Sequence, residues 1–161
     1  MHHLFKFKKL LLLPLFLFLA ACPIEQSAPQ KTPAELMALQ TRDFDTTKEQ
    51  AMSGVVAVFQ DLGYIIQTSD FNSGLITAKS PTKANFVPFV GRRMDDTRTT
   101  GTVRVLSNNK VRVRLNFVES KRLSFGYGMK QDNERPIYDA SVYQDAFNKI
   151  RNQIFIQKKT N

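Results

Sequence analysis

The twenty residues TTGTVRVLSNNKVRVRLNFV, 99 to 118, constrain the fold more than any other part of the chain. Apolar and polar residues alternate on both sides of Ser107-Asn108-Asn109, and a period of two belongs to strands with one buried face. The stretch therefore predicts an antiparallel hairpin, Thr99–Leu106 against Lys110–Val118. Its register follows from burial. A two-residue turn at Asn108-Asn109 would put Val103 and Val105 on the same face as Arg112 and Arg114. A three-residue loop gathers Val103, Val105, Val111, Val113, Leu115 and Phe117 instead. One step of slip moves every side chain to the other face, so the three-residue loop is expected. The opposite face then carries Thr100, Thr102, Arg104, Arg112, Arg114 and Asn116.

A second hairpin is expected upstream, where Tyr64–Ser69 and Leu75–Lys79 flank the turn residues Asp70-Phe71-Asn72-Ser73-Gly74. Before it, Thr46-Thr47-Lys48-Glu49 has the form of a capping box. Met52, Val55, Val56, Phe59 and Leu62 then recur at helical spacing, and Gly63 supplies the stop. A last helix runs from a cap at Asp139 to about Gln157, with Val142, Ala146, Phe147, Ile150 and Ile154 as its apolar stripe. Lys158 and Lys159 suit its C-terminal dipole. The expected fold class is α+β: a four-stranded antiparallel sheet with two helices on one face, order αββββα.

The chain begins MHHLFKFKKLLLLPLFLFLAAC. Lys6, Lys8 and Lys9 precede an apolar run from Leu10 to Ala21 that Pro14 interrupts. A spanning helix needs roughly 20 apolar residues, so this run is too short to cross a bilayer; the order basic, apolar, small is that of a signal peptide. Leu19-Ala20-Ala21-Cys22 resembles the bacterial lipobox. That resemblance implies cleavage before Cys22, a diacylglycerol on its thiol and usually an acylated amino group. Two or three acyl chains, at about 0.8 kcal/mol per buried CH2, hold a chain on a membrane permanently. A reactive thiol is disfavoured, because no basic or His neighbour lowers the Cys22 pKa. Pro23 stands where lipoproteins kept in the inner membrane often carry aspartate, which implies the outer membrane, facing the periplasm. The expected division is 1–21 signal peptide, 22–45 lipidated N-terminus and tether, and 46–161 a single domain. Within the tether, Thr32-Pro33-Ala34-Glu35 can cap a short helix, Pro33 to Leu39. As a flexible coil of about 20 residues the tether reaches roughly 25 Å.

Cleavage would remove His2 and His3, the only two histidines. Without histidine or a free thiol, Ser-His-Asp and Cys-His catalysis and His- or Cys-ligated zinc are excluded. One cysteine allows no disulfide within the chain. No Gly-rich phosphate loop or calcium loop is present, and the chain lacks tryptophan, the usual platform for sugars. The expectation is no enzyme, no cofactor and no metal. A carboxylate-based wall hydrolase is the remaining catalytic reading. Losing the three leader lysines lowers the formal charge from +9 to +6. A basic surface suits lipopolysaccharide, anionic lipid or an acidic protein. The export signal argues against nucleic acid.

The element order resembles the helix-grip domains of the C-type lipoprotein subunit of the β-barrel assembly machinery. The phrases QTRDFDT, VFQDLGYIIQTSDFNSGLITAKS and YQDAFNKIRNQIFIQK are similar to a group of small proteobacterial lipoproteins of unassigned function. Neither resemblance implies catalytic residues.

Two surfaces could carry function. Phe86-Val87-Pro88-Phe89-Val90-Gly91 and Leu123-Ser124-Phe125-Gly126-Tyr127-Gly128-Met129 mix aromatics with Gly or Pro. They fold over an end of the sheet and complete the core, or Phe86 to Val90 forms an extra edge strand, or they are exposed and bind a partner through Phe86, Phe89, Phe125 and Tyr127. Arg104, Arg112 and Arg114 should project together from the sheet face without helices, as a solvated face or an anion-binding stripe; Arg92 and Arg93 could extend it. Asp95, Asp96, Asp132 and Glu134 are expected in loops, paired locally with Arg98 and Arg135. The functional expectation is an outer-membrane lipoprotein serving as a binding or accessory module of an envelope protein complex. The alternative is a binder of anionic lipid or lipopolysaccharide.

Overall fold

The Thr99–Val118 hairpin exists, and it is longer than its apolar pattern. Its strands are β5 (Gly91–Ser107) and β6 (Lys110–Ser124), paired along almost their whole length. The structure, a computed structural model, describes residues 31–88, 91–125 and 128–160. The expected signal peptide and Cys22 lie outside these residues, as do Phe89 and Tyr127. The remaining elements are α1 (Pro33–Gln40), β1 (Thr41–Phe44), α2 (Lys48–Asp61), β2 (Ile65–Asp70), β3 (Leu75–Lys79), β4 (Lys83–Val87), β7 (Lys130–Pro136) and α3 (Ala140–Thr160). Among the described residues, no helix is long and apolar enough to cross a membrane.

All strands join one antiparallel sheet, and β5 and β6 run through two differently built halves. In the first half the order is β1-β6-β5-β3-β2; in the second, β4 pairs the start of β5 and β7 pairs the end of β6. The expected α+β class and antiparallel sheet hold, but among the described residues the count is seven strands rather than four and three helices rather than two. The expected αββββα set survives as α2, β2, β3, β5, β6 and α3, with α1, β1, β4 and β7 added. Within the expected tether, the short helix expected at Pro33–Leu39 appears as α1, and Thr41–Phe44 forms β1. Thr32 caps α1 with both bonds of a capping box to Glu35 in place.

One face of the first half holds the core. Ile76, Ala78, Val103, Val111, Val113, Leu115 and Phe117 meet Ala51, Met52, Val55, Val58 and Phe59 of α2 and Tyr143, Ala146, Phe147, Ile150 and Ile154 of α3. Gly101 lets α2 approach the sheet, since a Cβ there would sit 3.0 Å from Val55 Cγ1. Phe117 packs edge-on against Phe59 and Tyr143, with centroids 6.4 and 5.2 Å apart. Such pairs add about 0.5–1.5 kcal/mol each beyond the area they bury. Val103 pairs with Val113 and Val105 with Val111, as expected, but Val105, next to the turn, is 58% exposed and not part of the core. The turn differs: Ser107 pairs with Lys110 across Asn108-Asn109, and an irregularity between Val105 and Ser107 restores the faces. A bulge thus does what a three-residue loop was expected to do.

The α2 cap is Thr47, whose side chain accepts from the N–H of Gln50; Thr46 is buried and bonds the Gln50 side chain. Gly63 ends the helix at φ 81°, as expected. Asp139 accepts from the N–H of Ser141 at 2.9 Å and caps α3, which continues to Thr160.

The sheet ladder is interrupted between the two halves, and side chains fill the breaks. On the β5 edge, the Ser80 N–H donates to the Thr97 carbonyl (2.8 Å) while the Ser80 hydroxyl accepts from the Thr97 N–H (2.9 Å). On the β6 edge, β1 begins opposite Arg114 and β7 ends opposite Val118, and Gln40 occupies the gap.

Candidate functional site

Beyond these breaks the second half is a four-stranded arm, β4-β5-β6-β7, whose residues do not enter the helix-packed core. Every residue of β7 is exposed, and four of the five in β4 are exposed as well. Sheet register brings the two apolar loops together at the tip of the arm. Phe86 pairs with Arg92, Arg92 with Ser124 and Ser124 with Lys130, one cross-strand row over four strands. Gly91 is so close to the other loop that a Cβ there would meet the Ser124 carbonyl oxygen at 2.1 Å. The second loop is closed by the Phe125 N–H donating to the Met129 carbonyl at 2.9 Å.

Phe86 is 78% exposed and Met129 65% exposed, while Phe125 is half-buried. An edge strand does form, but over Lys83–Val87 rather than the expected Phe86–Val90, of which 89 and 90 lie outside the described residues; its Phe86 is exposed rather than core. Arg92 and Lys130 stand in the same cross-strand row as Phe86, while Arg93, one step along, is paired with Asp95. The nearest acids along the strands, Asp95 and Asp132, lie closer to the body of the sheet. Met129 belongs to the loop that composition singled out, though the aromatics alone were chosen there as contacts.

At the root of the arm a charged cluster sits on the face opposite the helices. The Asp96 side chain is 1% exposed and accepts from Nη2 of Arg122. Lys79 Nζ lies 3.5 Å from its other oxygen, within ion-pair range but without hydrogen-bond geometry. Arg98 binds Glu134 at 2.7 Å, and Arg93 binds Asp95 at 2.9 Å. Pairing with Arg98 and Arg135 was expected; Glu134 does bind Arg98, whereas Asp95 pairs with Arg93 and Asp96 with Arg122 and Lys79, and these acids stand in β5 and β7 rather than in loops.

The arginine stripe is present and largely engaged. Arg104 and Arg112 face each other across β5 and β6, on the helix-free face. Arg112 makes a two-pronged pair with Asp43 of β1 (2.7 and 2.9 Å), which holds the Asp43 carboxyl below its usual range. Arg114 donates from Nε (3.3 Å) and Nη2 (2.9 Å) to one acceptor, the amide oxygen of Gln40. Gln40, 5% exposed, donates in turn to Asn116 at 3.3 Å. Burial raises the Tyr143 pKa, and a side-chain hydrogen bond with Gln40 partly offsets this. Gln40, Thr100, Thr102, Arg114, Leu115 and Asn116 line a recess of about 280 Å³ on this face. Among the described residues, no three His, Cys, Asp or Glu side chains are grouped to hold a metal.

No protein-family profile matches the chain, and no curated protein matches it. Among solved structures, the chain is similar to a TBP-like protein from Parabacteroides distasonis ATCC 8503. The identity is 12% and the TM-score 0.35, over 70% of this chain and 91% of the other.

Proposed function

We propose that this protein is a non-enzymatic, lipid-anchored module of the bacterial outer membrane that docks an envelope protein through the tip of its β-arm. The anchor rests on the sequence around Cys22. The docking half rests on one observation: two apolar loops, remote in sequence, meet at the end of a helix-free arm and leave Phe86 and Met129 exposed. Phe86 and Met129 stand at the two edges of the arm tip, three strand spacings apart; a monomer gains nothing by exposing them in water, whereas a partner's surface spanning the tip would remove both from it. The basic residues around them suit a cleft rimmed with acidic groups. The helix-covered half, with α2 and α3 on one face, supports a helix-grip-like body carrying the arm.

The test places a photo-crosslinking residue at position 86 or 129 in living cells, with position 149 on exposed α3 as control. A shared adduct from 86 and 129, absent from 149, is expected. Phe86→Ser combined with Met129→Ser should abolish co-purification of that adduct's protein without moving the urea midpoint, since both side chains are exposed. Adducts of equal yield at all three positions, or none at the tip, would refute the assignment.

A further inference from the structure

The recess on the helix-free face has an unbalanced charge. Asp43 compensates Arg112, whereas Arg114 is held by a neutral amide. Among the described residues, no carboxylate lies within ion-pair distance of Arg114. An arginine fork ordinarily takes a carboxylate or a phosphate, so a lone amide oxygen fixes the guanidinium in place without neutralising it. Gln40 is itself fixed, being buried in the gap between β1 and β7 and bonded to Asn116. The other groups in the recess add donors. The hydroxyls of Thr100 and Thr102 have no hydrogen-bonding partner among the described residues, and the Asn116 amide oxygen is already used by Gln40, which leaves its NH2.

We propose that this recess binds a small organic carboxylate. Arg114 is the one cation among the residues lining the recess, since Arg104, also without an acid partner among the described residues, lies outside it. A single negative charge matches Arg114, and a phosphate monoester, with nearly two, would leave excess charge there. The guanidinium supplies the attraction, and the Thr100 and Thr102 hydroxyls and the Asn116 amide supply direction. The volume of about 280 Å³ leaves room beyond the carboxylate for a short carbon chain or the last residue of a peptide. The site is distinct from the arm tip and does not depend on docking there.

The full-length chain in detergent is titrated with acetate, with a tripeptide bearing a free C-terminal carboxylate, and with the same tripeptide amidated. Side-chain NMR signals of Arg114, Asn116 and Gln40 report binding. Saturable shifts with acetate alone assign the site to free acids; shifts with the acid tripeptide but not its amide assign it to chain ends. Arg114→Gln should weaken binding at least tenfold. Thr100→Val with Thr102→Val should weaken it several-fold at an unchanged unfolding midpoint. Shifts that fail to saturate, that chloride reproduces, or that survive in Arg114→Gln would overturn the proposal.

Discussion

Replacing Asp96 by alanine tests whether the charged cluster joins the arm to the body. Asp96 is enclosed, while its partners Arg122 and Lys79 keep about a third of their side-chain surface exposed. At 3.5 Å and an effective dielectric near 20, the gross attraction of one such pair is about 5 kcal/mol. Desolvating the carboxylate removes much of this, and the pair's net worth is far smaller. Removing the acid alone is another matter, because Arg122 keeps its charge with its Nε already buried and unpaired. Breaking a fully buried pair costs about 3–5 kcal/mol; with the cations partly hydrated, about 2–3 kcal/mol is expected for Asp96→Ala. Urea unfolding should show that loss as a lower midpoint at unchanged slope. Asp96→Ala with Arg122→Leu should recover at least about 1 kcal/mol of it, since the stranded cation is gone (roughly fivefold in the folding equilibrium). A loss below about 0.5 kcal/mol, or a double variant as unstable as the two single losses added, would refute the argument.

Gly101→Ala should destabilise by about 1–3 kcal/mol through overpacking, because its new methyl meets Val55 at 3.0 Å; a thermal melt unchanged from the parent would contradict the close approach of α2. The Asp43–Arg112 pair predicts a pH effect of definite sign. Asp43 titrates lower when folded than when unfolded, so its contribution is present above the unfolded value, near 4, and is lost as pH falls through the folded one. Asp43→Asn should therefore flatten the acid limb of the stability–pH curve, and an identical limb in both proteins would sink this reading.

What the sequence made legible is what one-sided burial writes into it. α2, α3 and the Val103–Phe117 strands read correctly because their apolar residues recur at the period of their element. Tyr143 was equally readable. It stands three and four residues before Ala146 and Phe147, but the expected stripe took Val142 in its place; fully buried, it donates its hydroxyl to the Ile137 carbonyl. β7 was not readable, since KQDNERP is exposed along its whole length and has no apolar period to show. β1 is four residues long and leans on β6 for its definition. The engagement of the arginine stripe was hidden for another reason. Asp43 and Gln40 reach Arg112 and Arg114 across about 70 residues of chain, a pairing that only the sheet creates. The apolar loops were visible by composition, but their meeting depended on β4 and β7, the strands without a pattern.

The arm inherits a rule of length from the pleat. Both of its central strands continue through the helix-packed body, so their faces are fixed there by Val103, Val113 and their neighbours. An insertion of one residue in β5 or β6 between body and tip would turn every arm side chain to the wrong face, unless a bulge absorbed it. Matched pairs of residues in both strands would keep all faces and carry the tip outward by about 6.7 Å per step. The distance at which this protein can present Phe86 and Met129 is therefore quantised, and relatives with longer or shorter arms should differ by even numbers of residues in each strand.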